Sequence, residues 1–87
     1  MQVVLIEYED HSVIGVTLDV PTAIQCLIEN HWIDSDTPIY EESGVTTVEE
    51  RFGENWREAL IAMDDATFNE IMAEQFFVSI EDVWGTT

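Results

Sequence analysis

The sequence predicts an α+β fold: a small antiparallel sheet of about three strands, an N-terminal hairpin plus a C-terminal strand, with helices packed on one face. Three observations carry this. Two runs rich in β-branched and aromatic residues, Val3 to Glu9 and Val13 to Leu18, flank the polar turn Asp10-His11-Ser12. The middle of the chain carries apolar residues at helical spacing behind recognisable caps. From Phe76 to Trp84, "FFVSIEDVW" returns to strand character. At 87 residues the whole chain, 1–87, makes a single domain.

In the first strand Val4, Ile6 and Tyr8 are expected to face the helices. In the second, Ile14, Val16 and Leu18 alternate with Val13, Gly15 and Thr17, and the first set is expected to face the core. Pro21 suits the first turn of a helix, where its missing N–H costs nothing. Ile24, Leu27, Ile28 and Trp32 then form one apolar stripe, with Ala23 beside it. "DSDTPIYEESG" (34–44) reads as a loop with a short extended piece at Pro38 to Glu41.

Thr47 and Glu50 match a capping box, opening a short helix that runs to Phe52 and stops at Gly53. Asn55 is the expected cap of the next helix, with Trp56, Leu60 and Met63 inward. Asp64 or Asp65 is the expected cap of the last, with Phe68, Ile71 and Met72 inward. The final strand puts Val78, Ile80 and Trp84 on one face and is expected to pair with the first or second strand.

Charge is the strongest clue to function. Nineteen acids face two arginines and no lysine, for a net charge of −17. A hydrophobic fraction of 46% still provides for a packed core, so the charge does not imply disorder. Self-repulsion opposes the compact state and is relieved by salt. Selection for stability alone would have placed lysines on this surface, so a basic partner is expected. The same charge argues against direct nucleic-acid binding and against anionic membranes.

Other classes find little support. Cys26 is the lone cysteine, which excludes an internal disulfide framework. The N-terminus lacks a basic n-region, and no run approaches the roughly 20 apolar residues of a membrane span, so a cytoplasmic protein is expected. Asp34 and Asp36 begin a segment like a calcium loop, but Ile39 stands where glycine is required and Val45 where glutamate is required. Cys26 and His31 would point about 140° apart on one helix, which is no zinc geometry. No third group completes a nucleophile–base pair, and the four glycines are isolated. No enzyme, metal or cofactor is expected.

The acids favoured for partner binding are Glu7, Glu9, Glu70, Glu74 and Glu81, with Glu49, Glu50 and Glu54 next. Glu70 and Glu74 are four apart on a helix, as are Glu54 and Glu58, spacings that cost a helix stability. Arg57 is expected to pair with Glu54. Glu7 and Glu9 share a strand face about 6.6–6.8 Å apart. These spacings approach the separation of successive phosphates on one nucleic-acid strand, on the order of 6–7 Å. Carboxylates also replace phosphates as acceptors for Arg and Lys.

In size, charge and single-domain make-up the chain resembles the small acidic proteins of phages and other mobile elements, such as anti-restriction and anti-CRISPR DNA mimics. No shared motif carries the resemblance. It implies inhibition of a basic nucleic-acid enzyme by charge-assisted pairing along its groove. The alternative is a small dimeric adaptor or regulatory protein that binds a protein partner through an apolar sheet face formed by Val3, Leu5, Phe77 and Val83, with the charge serving solubility. Adaptation to high salt ranks last, because glutamate exceeds aspartate, twelve to seven.

Overall fold

The computed structural model describes residues 2–72 and 75–82. Strands β1 (Gln2–Tyr8) and β2 (Val13–Thr17) form the expected hairpin, followed by helix α1 (Val20–Glu29). A second hairpin, β3 (Pro38–Glu41) and β4 (Gly44–Thr47), leads into α2 (Val48–Phe52), α3 (Trp56–Ile61), α4 (Asp65–Ile71) and β5 (Phe76–Asp82). The main sheet has the order β2-β1-β5, both neighbours antiparallel to β1. The expected α+β fold is therefore the observed one, with β5 paired to the first strand. The β3–β4 hairpin is an addition. Only its first strand was legible, as the extended piece at Pro38 to Glu41.

The core lies between one face of the sheet and the helices. Val4, Ile6 and Val78 from the sheet meet Ile24 and Leu27 of α1, Leu60 of α3 and Phe68 of α4, all almost fully buried. Local signals set the helix ends. The Asp19 carboxylate accepts the Thr22 N–H at 2.8 Å ahead of α1, and the Asp64 carboxylate accepts the Thr67 N–H at 2.8 Å ahead of α4. Thr47 Oγ1 accepts the Glu50 N–H at 3.1 Å, and Gly53 ends α2 at φ 81°. Asn55 precedes α3 but makes no side-chain cap bond, contrary to expectation.

Two facing assignments are corrected. Val16 and Leu18 are 58% and 68% exposed. The register pairs Ile6 with Gly15 but Glu7 with Val13, so Ile14 is an extra, bulged residue. The bulge shifts the alternation: Gly15 sits opposite buried Ile6, and Val16 sits opposite Leu5 on the face away from the helices. Gly15 suits its place because a Cβ there would lie 3.1 Å from Ile6 Cδ1.

Trp32 is the second correction. Helix α1 ends at Glu29, and His31 adopts φ 62°, which turns the chain and puts Ile33, not Trp32, into the core. Trp32 instead packs on Tyr8, ring centroids 5.2 Å apart. In β5, Ile80 is on the core-facing side opposite Val4 but is 46% exposed at the sheet's end. Ile71 is half-buried, and Trp84 lies outside the described residues.

Candidate functional site

The fold carries its acids on the outside. Of the nineteen, Glu74 lies outside the described residues; sixteen of the other eighteen are exposed, and Glu7 and Asp65 are half-buried. No charged residue is buried among the described residues. Within those residues two ion pairs form: Arg51 Nε to Glu41 Oε1 at 3.2 Å, and His31 Nδ1 to Asp34 Oδ1 at 3.4 Å. The expected pairing of Arg57 with Glu54 is absent. Arg57 lies over the ring of Trp56, 4.5 Å from its centroid. Among the described residues, Glu41 and Asp34 are thus the carboxylates in ion pairs.

Glu49 and Glu50 occupy the first turn of α2, where exposed N–H groups and the helix dipole favour carboxylates. Their position has a local structural reason. Glu54 follows the Gly53 turn. Glu70 is different: it lies near the C-terminal end of α4, where the dipole opposes a negative charge. It borders a recess of about 380 Å³ together with Glu41, Glu42 and Arg51. Glu41 and Glu42 were missed at the sequence level. "EESG" reads as loop unless the β3–β4 hairpin is recognised, and that hairpin is what aims them toward α4.

Glu7 and Glu9 were expected on one strand face. Strand β1 ends at Tyr8, so Glu9 belongs to the turn, yet both border one recess of about 160 Å³ beside Phe77. Glu81 sits opposite Val3 and Glu7 opposite Phe77, placing them four residues apart along the sheet, roughly 13 Å by strand rise. Both lie on the face away from the helices. That face also carries Val3 and Leu5, half-buried, and Val13, Val16 and Phe77, which are 54%, 58% and 45% exposed. Val83 of the expected apolar interface lies outside the described residues. The loop thought able to cover this face folds instead as β3–β4, and its closest strand and helix partners are α2 residues.

Three carboxylates have pKa values below the usual carboxylate value of 3.8. Asp10 is lowered by hydrogen bonds from Ser12, hydroxyl first and then amide. Asp19 is lowered by Thr22 and Asp64 by Thr67, in the same order. All three hold turns or helix starts. Among the described residues no group of three or more His, Cys, Asp or Glu side chains is arranged to hold a metal ion. Cys26 is half-buried, with Asn30 Nδ2 donating to its backbone O at 2.8 Å. No described helix is long and apolar enough to cross a membrane.

Compared with protein-family models, curated proteins and solved structures, the chain matches none.

Proposed function

We propose that this protein binds a basic nucleic-acid-binding protein or nuclease and inhibits it by presenting carboxylates where the target expects phosphates. The observation that carries this reading is the uncompensated surface: sixteen exposed carboxylates on a folded scaffold, with a single Arg–carboxylate ion pair among the described residues. Folding fixes the spacing of these groups, so their ordering on binding costs less than for a flexible acidic chain. Guanidinium and ammonium groups lining a nucleic-acid groove donate to carboxylates in the same charge-assisted way as to phosphates. Glu70, Glu49, Glu50 and Glu54 provide one group of contacts around α2 and α4. Glu7, Glu9 and Glu81 provide another on the sheet. Counterion release by the target's groove makes the interaction salt-sensitive.

The test is capture from lysate on the immobilised protein, with and without excess duplex DNA. A basic nucleic-acid-binding protein that is retained, and released by DNA, supports the reading. Retention of partners that DNA leaves in place rejects it.

The adaptor reading is favoured by one observation, the exposure of Val13, Val16 and Phe77 on a single sheet face. Two copies meeting through that face would each carry the net charge of −17, so dimerisation would strengthen with salt. Sedimentation at low and high salt separates this reading from the first.

A further inference from the structure

We infer that the recess where β1 ends and β5 begins is a binding site for one organic cation, the guanidinium or ammonium head of a side chain presented by the protein partner. The identity of the donor rests on the function proposed above; the cation chemistry of the recess stands without it.

The recess holds about 160 Å³ and is bordered by Glu7, Tyr8, Glu9, Gln75, Phe76 and Phe77. That volume admits a side-chain head group and falls below the roughly 300–1,000 Å³ of drug-sized ligand pockets. Tyr8 and Phe76 lie on the helix-facing side at this end of the sheet, and Phe76 is 4% exposed. The Tyr8 ring packs between Trp32 and Phe76, with centroids 5.2 and 5.5 Å away, and Trp32 meets Phe76 edge-on at 6.4 Å. Phe77, on the opposite side of the strand from Phe76, is 45% exposed. The exposed ring of Phe77 can attract a cation through its face, and the Glu7 and Glu9 carboxylates that border the same recess add the charge.

The protein contains two internal examples of the same chemistry. Arg51 lies 5.3 Å from the Phe52 centroid while its Nε bonds Glu41. Arg57 lies 4.5 Å from the Trp56 centroid in a recess bordered by Glu29 and Asp34. In both places a guanidinium that the chain supplies lies over an aromatic ring, and at Arg51 a carboxylate bonds it as well. The Tyr8–Phe77 recess has the rings and the carboxylates, but both arginines of the chain are placed elsewhere and it has no lysine. His11 also borders the recess. A partner must therefore supply the cation. An inorganic divalent ion fits less well, since ring faces are not ligands for hard cations.

The neighbouring surface suits such a partner. Phe77 continues onto the sheet face that carries Leu5, Val13 and Val16, so a basic side chain could anchor in the recess while apolar residues cover that face.

The test is an NMR titration of the whole protein at pH 7.5, following amide and aromatic signals. The probes are N-acetyl-arginine methylamide and tetramethylammonium, with NaCl at matched ionic strength as the reference. The expected result is saturable shifts concentrated at Tyr8, Phe76, Phe77 and Gln75. Affinity should fall roughly fivefold or more in Phe77→Ala and in Glu7→Gln. It should stay unchanged in Asp36→Asn. If Phe77→Ala does not fold, Phe77→Leu tests the same ring. Shifts spread over the carboxylates as with Na⁺, or unchanged affinity in Phe77 and Glu7 variants, would overturn the inference. Capture of a DNA-competed partner with a silent recess removes this site and leaves the proposed function. Cation binding with no such partner does the reverse.

Discussion

The side-chain amide of Asn69 completes both backbone polar groups of Val78: Nδ2 donates to the carbonyl oxygen at 2.8 Å, and Oδ1 accepts the N–H at 2.7 Å. Strand β5 is an edge of the main sheet, so these groups would otherwise face outward without a strand partner. Asn69 sits on α4 and acts as a one-residue strand, tying the helix to the sheet and blocking the edge at its centre. The Phe76 N–H is likewise taken, by the Met72 carbonyl at 2.8 Å. Asn69→Ala should cost about 1–3 kcal/mol, because it leaves a backbone donor and acceptor unpaired near the core. Asn69→Asp should cost at least as much, since it loses the donor and sets a charge against the Val78 carbonyl. Urea midpoints at constant m-value measure both.

Helix α2 is defined by its two ends. Thr47→Ala should lose about 1 kcal/mol with the cap bond. Gly53 has φ 81° and ψ −163°, a region essentially restricted to glycine. Nothing lies within 4 Å of a Cβ built there, so Gly53→Ala is opposed by backbone conformation alone. Its expected cost is about 1–3 kcal/mol. Thermal unfolding of each variant at one salt concentration is the check.

The acid side of the stability curve should depend on the capping aspartates. For Asp19 and Asp64 the folded pKa lies below the unfolded value of 3.8. The stability each contributes is therefore fully present above pH 3.8 and lost as pH falls through the lower, folded pKa. Asp64→Ala should be less stable than wild type at pH 7. That difference should close on acidification below pH 3.8. Paired unfolding curves at several pH values show whether it does.

Glu70 faces the unfavourable end of α4, so its removal should not hurt the fold. Glu70→Gln should leave stability unchanged or raise it by a few tenths of a kcal/mol. The same variant should weaken partner binding. A loss of more than about 1 kcal/mol of stability would mark Glu70 as structural instead.

Salt should stabilise the protein without being needed for folding. The Debye length falls from about 30 Å at 0.01 M to about 10 Å at 0.1 M, which screens most pairs of surface carboxylates. Tm should rise by several degrees over that range, with a folded circular-dichroism spectrum at both ends. An unfolded chain at 0.01 M would instead favour adaptation to high salt.

What the sequence disclosed was mostly local. Thr47, Gly53, Pro21 and Asp64 act within a few residues of themselves, so these helix ends were legible, while the Asp19 cap was not read and Asn55 makes no side-chain cap bond. The Val4–Ile6–Tyr8 alternation also held, because β1 is the central strand and is regular along its length. The β2 alternation failed at the Ile14 bulge, whose extra residue is set by pairing with β1 rather than by any property of "VIGVT". Trp32 was misplaced because the left-handed turn at His31 has no strong signature. Of the site, the chain disclosed the amount of charge and not its grouping. The approach of Glu70 to Glu41 and Glu42 depends on the β3–β4 hairpin, and the meeting of Glu7 and Glu9 with Phe77 depends on the β1–β5 register.

On the proposed reading, the folded acidic surface and nucleic acid compete for one groove of the partner. The most direct measurement is the apparent Kd between this protein and its captured basic partner, taken across increasing duplex DNA at fixed ionic strength. Mutually exclusive binding predicts an apparent Kd that rises in proportion to the DNA concentration once the partner's DNA site is occupied. An apparent Kd that does not change, with DNA, partner and protein together in one complex, would contradict the account.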